Sequence, residues 1–178
     1  MAITKIQSES LNLADTYAFT GTVTGAGESN TPYFSALKTS NQTLSDAASA
    51  TKITFDSVST ESTSGVFDLS NNKFTATVAG KYCFQLKATV FDTANALKRA
   101  DCYIYKNGSQ NRKEIFFDNS GGIREVVLTA TWIEDVAVND YYEMYVYGDT
   151  TDSGTFDVSG NASGSAKETY LSGFLLTT

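Results

Sequence analysis

Three aspartates near the C-terminus, Asp149, Asp152 and Asp157, have the residue type and spacing closest to a metal site in this chain. Carboxylate oxygens are ligands that calcium prefers, so the loop that carries them is a candidate calcium site. The spacing differs from that of an EF-hand loop, and acidic loops rich in glycine and serine are usually just solvated. We therefore keep both interpretations, and we expect no other metal and no cofactor.

Acid–base catalysis has little support in the residues. The chain contains no histidine, which removes the most frequent general base and metal ligand. Glu134 and Asp135 form a carboxylate pair of the kind that glycosidases use, but adjacent residues of a strand point to opposite faces. No glycine-rich phosphate loop joins a strand to a helix. We predict that the protein is not an enzyme; a glycan-cleaving enzyme on a β scaffold would need converging carboxylates.

The composition of the chain argues against several classes of binding partner. The formal net charge of −7 opposes binding to nucleic acid or to anionic membrane, because phosphate neutralisation needs clustered lysine and arginine. No apolar run approaches the length of a membrane span, and the opening residues lack a signal-peptide core. Cys83 and Cys102 are too few for a disulfide framework, and their place in predicted strands favours buried thiols over a disulfide. We predict synthesis in a cytoplasm.

The elements that position these residues are predicted to be strands. Aromatic residues are plentiful (10 Tyr, 11 Phe and 1 Trp) and proline occurs once, which favours a β protein. Phe67–Leu86 alternates between apolar and polar residues, with turn residues at Asn71 and Gly80, as consecutive antiparallel strands with one buried face would. Asn107-Gly108 is the strongest short hairpin signal.

A single domain is predicted over residues 32–178. It should be an all-β antiparallel sandwich of about ten strands, because the period-two pattern recurs along this whole range. Three stretches rich in small polar residues are predicted to be its main loops: 41–50, 92–97 and 149–166.

The central stretch also resembles a known family. Phe67 before a polar turn, then Lys73-Phe74 and Gly80-Lys81-Tyr82-Cys83-Phe84, is similar to the centre of the complement-one-q globular-head pattern. Further motifs follow the family's order: Tyr33-Phe34-Ser35-Ala36, Tyr105-Lys106-Asn107-Gly108, Val126-Val127-Leu128, Asn139-Asp140-Tyr141-Tyr142 and Tyr170-Leu171-Ser172-Gly173-Phe174-Leu175-Leu176. The resemblance implies a trimeric jelly roll, which this family shares with the tumour necrosis factor superfamily.

Residues 1–31 differ from the rest. Scattered apolar residues precede the small, linker-like residues 21–31, and the segment is too short to bury its own core. It is either a frayed terminus or an attachment peptide that becomes ordered on a larger surface. The stretches 5–10 and 13–21 resemble the N-termini of marine bacteriophage structural proteins. The candidate attachment residues are Ile3, Ile6, Leu11, Leu13, Tyr17 and Phe19.

The most aromatic strand is predicted at 140–147. If Tyr142, Met144 and Val146 face the core, the alternate tyrosines point outward, and an exposed aromatic row usually marks an interface. Those outward residues are Tyr141, Tyr145 and Tyr147. The resemblance implies that this strand lines a three-fold axis, whereas a covering loop of the same chain is the alternative.

Three more aromatic residues are interface candidates that spacing alone does not assign to the core or to the axis: Tyr82, Phe84 and Phe174. Together these observations predict a bacteriophage virion structural protein, made in the host cytoplasm. It would be a homotrimeric knob, attached by residues 1–31 to a capsid (as a decoration or head fibre) or to a tail, with loops that contact a host-surface glycan or protein. The alternative is a free carbohydrate- or protein-binding module of the complement-one-q type, outside any virion.

Overall fold

The computed structural model describes residues 30–46, 49–160 and 168–178, and only the backbone of residues 114–117. These residues form thirteen strands and no helix. The strands are β1 (Tyr33–Leu37), β2 (Gln42–Ser45), β3 (Thr51–Lys52), β4 (Ser57–Glu61), β5 (Phe67–Asp68), β6 (Lys73–Thr75), β7 (Gly80–Phe91), β8 (Leu97–Lys106), β9 (Ser109–Ile123), β10 (Glu125–Val136), β11 (Tyr141–Thr150), β12 (Thr155–Val158) and β13 (Tyr170–Thr177).

Two antiparallel sheets build the molecule. The first has the order β2-β12-β7-β13-β1-β4, with β10 on the other edge of β7. The second has the order β5-β6-β11-β8-β9, with β3 paired to β11. Alternate residues of each long strand face the space between the sheets, as the burial of every second residue over positions 82–88 of β7 shows. The predicted antiparallel sandwich is confirmed.

The core between the sheets is aromatic at its centre. Phe84 of β7 is fully buried, and its ring centroid lies 5.2 Å from that of Trp132, 4.7 Å from that of Tyr142 and 5.9 Å from that of Phe74. Offset and edge-to-face ring pairs at these distances add to the free energy gained from burial. Strands from both sheets contribute rings, so this cluster holds the two layers together.

The stretch Phe67–Leu86 does form strands, but they belong to both sheets. The Asn71–Asn72 turn joins β5 and β6 as a hairpin, and Asn72 adopts a φ of 50°. The chain then crosses to the first sheet before β7, so β6 and β7 are not paired neighbours. Gly80, with a φ of +154°, begins β7 where a Cβ would lie 2.3 Å from the Thr177 carbonyl oxygen.

Two predicted loops contain short strands. Residues 41–50 include β2 and residues 149–166 include β12, and these two strands pair with Phe156 opposite Leu44. Both side chains are buried. Each strand has only four residues, which is too short for a convincing period-two pattern, so their pairing depends on tertiary contacts.

The two ends of the sandwich differ. Asn30 Nδ2 donates to the Leu175 carbonyl oxygen (2.9 Å) and the Leu175 N–H donates to the Pro32 carbonyl oxygen (3.0 Å), so both ends of the described chain meet at one end, here called the base. The connections 92–96 and 151–154 follow the far ends of β7 and β11 and form the opposite end, the tip.

Two further observations concern predicted properties. The two cysteines are thiols; Cys102 is fully buried, and Cys83 is half-buried on the outer side of β7. Among the described residues, no helix has the length and apolar character needed to cross a membrane.

Candidate assembly interface

An apolar row crosses the outer side of the first sheet. The register places Ile133 of β10 opposite Cys83 of β7, Cys83 opposite Phe174 of β13, and Phe174 opposite Tyr33 of β1. Ile133 is 60 % exposed, Phe174 39 % and Tyr33 37 %. Because neighbouring strands lie about 4.8 Å apart, the row extends about 14 Å across the sheet. We call these four residues the apolar row.

A cleft opens at one end of the apolar row. It has a volume of about 500 Å³ and lies between Tyr33 and Phe174, with Ser35 and Gly173 among its lining residues. Gly173 has no side chain because a Cβ at this position would lie 2.6 Å from the ring of Phe84. This glycine thus leaves room for the ring of Phe84 in the core.

Polar residues border the apolar row on the same face. The next row towards the tip consists of hydroxyl and amide side chains, namely Thr131, Gln85, Ser172 and Ser35. Towards the base, Lys81 Nζ lies 2.6 Å from Asp135 Oδ1 in an exposed ion pair. An apolar centre with a polar rim is the usual composition of a protein–protein interface.

The predicted tyrosines lie on the other sheet. The orientation was predicted correctly: Tyr142 and Met144 are buried, and the three alternate tyrosines of β11 point outward and are half-buried. Each outward ring meets a side chain of its own chain. The pairs are Tyr141 with Lys73 Nζ (4.7 Å to the ring centroid), Tyr145 with Tyr105 (4.1 Å between centroids) and Tyr147 with the Arg99 guanidinium (5.3 Å).

Two interface candidates are corrected by the structure. Tyr82 and Phe84 are fully buried, because their side chains point between the sheets, so neither can contact a neighbouring copy. Phe174 is part of the apolar row. The interface predicted at Tyr141, Tyr145 and Tyr147 stays a prediction. Sequence reasoning missed Ile133, although a β-branched apolar residue among the outward threonines of β10 is a readable signal.

The carboxylate pair Glu134 and Asp135 does not converge. Asp135 points outward, whereas Glu134 points inward, where its Oε1 lies 3.3 Å from Lys106 Nζ. The same ammonium lies 2.9 Å from Asp140 Oδ2. Burial by itself lowers the pKa of Lys106, but the hydrogen bonds with Asp140 and Tyr142 outweigh burial and raise that pKa above its usual value. Each of the two carboxylates is therefore held in a separate ion pair, Asp135 with Lys81 and Glu134 with Lys106.

The three aspartates of the candidate calcium loop have separate partners. Asp149 Oδ2 lies 3.0 Å from Lys98 Nζ, Asp152 Oδ1 accepts a backbone hydrogen bond of 3.1 Å, and Asp157 Oδ1 accepts one of 2.6 Å from the Thr43 hydroxyl. Within residues 30–46, 49–160 and 168–178, no group of three or more acidic or cysteine side chains could hold a metal ion. Calcium binding stays a prediction without a formed site.

The candidate attachment residues lie outside the described residues. They are Ile3, Ile6, Leu11, Leu13, Tyr17 and Phe19. The described chain begins at the base, where Asn30 is bonded to Leu175.

Comparison with known proteins identifies the fold. No protein-family model and no curated protein matches the chain. Solved structures do match. The globular domain of zebrafish complement 1qA protein is 15 % identical, with a TM-score of 0.53 over 82 % of this chain and 98 % of that one. The fold is the complement-one-q and tumour necrosis factor jelly roll.

Two tumour necrosis factor-like structures support the same conclusion. Murine APRIL is 10 % identical, with a TM-score of 0.54 over 82 % of this chain and 98 % of that one. Eiger TNF from S. frugiperda is 7 % identical, with a TM-score of 0.55 over 82 % and 94 %. At these identities the similarity concerns the fold alone, and function must be argued from the surfaces.

Proposed function

We propose that the protein is a homotrimeric jelly-roll knob of a bacteriophage virion. Residues 1–31 attach it to a capsid, as a decoration or head fibre, or to a tail, and the tip loops face outward. The observation that carries this proposal is the apolar row on the outer face of the first sheet. The knob binds and displays; no catalytic role is part of the proposal.

The apolar row supports assembly because exposed apolar side chains seldom gather on a monomer. Scattered exposed residues are ordinary, whereas a contiguous set with a polar rim marks an interaction site. The row begins at Ile133 on β10, which pairs only with β7 in the described structure and therefore has a free edge. A closed ring of copies would cover this edge together with the row. Three is the number that the trimeric resemblance implies.

The two ends of the sandwich suit a tethered knob. The chain enters at the base, where Asn30 is bonded to Leu175, so the tip loops are free to contact a ligand. Binding residues are often on loops of a rigid scaffold, because such loops change without disturbing the core. The predicted contact regions 92–97 and 149–166 include tip connections, and a host-surface glycan or protein is the proposed ligand.

The virion setting rests on the N-terminal segment. Its resemblance to phage structural proteins supports attachment to a particle, and three tethers in one trimer would multiply a weak individual contact. Ile6→Asp combined with Leu13→Asp should leave a folded trimer that no longer sediments with particles. Ser8→Asp combined with Asn12→Asp adds the same two charges at polar positions of the segment; it is the matched control and should still sediment. Particle association that survives the double substitution would refute the tether.

A free binding module of the complement-one-q type is the second candidate. The fold similarity to the zebrafish complement domain favours it. Such a module would bind glycans or proteins through the same tip loops without associating with particles. Sedimentation with particles and a glycan array therefore separate the two candidates. The trimer is common to both, so its mass in solution tests the shared part alone.

A further inference from the structure

A second apolar surface lies at the base, away from the apolar row. Val78 is 37 % exposed and Val138 is 51 % exposed. The Asn139 N–H donates to the Ala76 carbonyl oxygen (2.8 Å) and the Ala76 N–H donates to the Asp140 carbonyl oxygen (2.9 Å). These hydrogen bonds hold the two connections that carry the valines against each other. The base therefore presents aliphatic side chains that the sandwich core does not use.

A pocket of about 320 Å³ adjoins Val78 and the start of the described chain. Its wall is fixed by the Ser62 N–H, which donates to the Tyr33 carbonyl oxygen (3.0 Å), and by the Tyr33 N–H, which donates to Ser62 Oγ (3.2 Å). The described lining residues are all uncharged: Thr31, Pro32, Ser62, Thr63, Ser64, Gly65, Val66, Thr77 and Val78. We call this the base pocket.

An uncharged occupant suits the base pocket, because a buried charge without a partner is costly. The chain that leads to Asn30 contains such a stretch. Residues 16–27 carry no charge, although the whole chain has 20 acidic residues. This stretch includes Tyr17 and Phe19, the two aromatic residues of the N-terminal segment. The hydroxyl-bearing residues and valines of the pocket match the mixed polar and apolar character of a tyrosine and a phenylalanine.

The length of the intervening chain allows the contact. Asn30 is fixed beside Leu175 and is followed directly by Thr31 and Pro32 of the pocket wall. Eleven residues lead from Phe19 to Asn30, and they span at most about 40 Å when fully extended. Because the segment is tethered to the same chain, its effective concentration at the pocket is high. A separate partner would need to reach that concentration in solution to compete.

We propose that Tyr17 and Phe19 bind the base pocket and Val78 of their own chain. The contact itself does not depend on the virion role, but its use rests on the proposed function. It would hold the attachment segment against the base and leave Ile3, Ile6, Leu11 and Leu13 for the particle. Each tether would then leave the knob at one defined place.

Disulfide trapping in the full-length chain tests the contact. With Cys83→Ser to remove the half-buried thiol, Thr20→Cys and Ser64→Cys should form a disulfide within one chain under mild oxidation. Adding Phe19→Ala should slow this reaction about tenfold or more, since burying a phenylalanine is worth more than one decade in an equilibrium constant. Ser8→Cys with Ser64→Cys is the control for chance encounter and should react slowly, with or without Phe19→Ala.

Each possible result of this experiment either supports or overturns the proposed contact. Equal rates with and without Phe19→Ala, or equal rates from Thr20→Cys and Ser8→Cys, would overturn it. A disulfide between two chains would overturn the assignment to the same chain. The readout needs no particle, so a trapped disulfide with no particle association would contradict only the virion role. Particle association without the disulfide would contradict only the contact.

Discussion

Replacing Ile133 by aspartate tests whether copies assemble through the apolar row. Ile133 is 60 % exposed in the single chain and would be covered by a neighbouring copy. Covering that exposed part contributes about 1.5 kcal/mol per copy, from the usual value for burying an isoleucine. Ile133→Asp removes this contribution and places a carboxylate beside Cys83 in the covered interface, which costs roughly 3 kcal/mol more.

Three equivalent sites multiply the effect. The total is about 13.5 kcal/mol per trimer. Because the concentration at which half the trimer dissociates varies as the square root of the dissociation constant, this concentration rises by roughly five orders of magnitude. A dilution series read by sedimentation velocity or mass photometry measures this midpoint. Val138→Asp, an exposed aliphatic residue at the base, is the matched control and should leave the midpoint unchanged. The melting of the monomer should change little, because Ile133 is not part of its core.

The native thiol provides an independent readout. Cys83 lies directly beside Ile133 in the register, so alkylation should be slow in the assembled protein and fast in Ile133→Asp. Cys102 is fully buried and should stay protected in both. A wild-type protein that is monomeric at high concentration, or a midpoint that moves less than tenfold, would refute the reasoning. Dissociation by Tyr145→Asp alone would instead assign the interface to the tyrosines of β11.

Three further substitutions test the fold and its charges. Gly80→Ala should lower the free energy of unfolding by about 1–3 kcal/mol in denaturant titrations, because a Cβ meets the Thr177 carbonyl oxygen at 2.3 Å. Phe84→Ala should lower it by about 3–5 kcal/mol, because it leaves a cavity in the aromatic core; a cost below one kcal/mol would argue against that core. Burial by itself raises the pKa of Asp140, but hydrogen bonds, first that from Asn107, outweigh it and lower the pKa to about 2. The stabilisation is therefore present above pH 4 and is lost as the pH falls towards 2, and Asp140→Asn should flatten this part of the pH profile.

Alternation along the chain sufficed to predict which way most side chains point. In β11, Tyr142 is buried and Tyr145 points outward, because a strand turns successive side chains to opposite faces. The hairpin between β8 and β9 was also predicted from the sequence. Asn107 and Gly108 adopt φ values of 53° and 76°, the left-handed values that this pair of residues accepts most easily.

The sequence did not predict which strands distant in the chain would pair with each other. Nothing local in β2 or β12 predicts that Leu44 will lie opposite Phe156, since each strand is too short to show a period. The same limit explains why Tyr82 and Phe84 were wrongly kept as interface candidates. Alternation places them on one face of β7, but only the packing of the second sheet shows that this face is the core.

The sequence by itself determined a β sandwich, its inward and outward positions and its sharpest turn, because these depend on neighbouring residues. The tertiary structure decided which exposed apolar side chains lie side by side on an outer face. The apolar row gathers Tyr33, Cys83, Ile133 and Phe174 from four strands that are far apart in the chain, and only the register aligns them. The outward tyrosines of β11, prominent in the sequence, meet side chains of their own chain, because β6 and β8 bring those partners alongside.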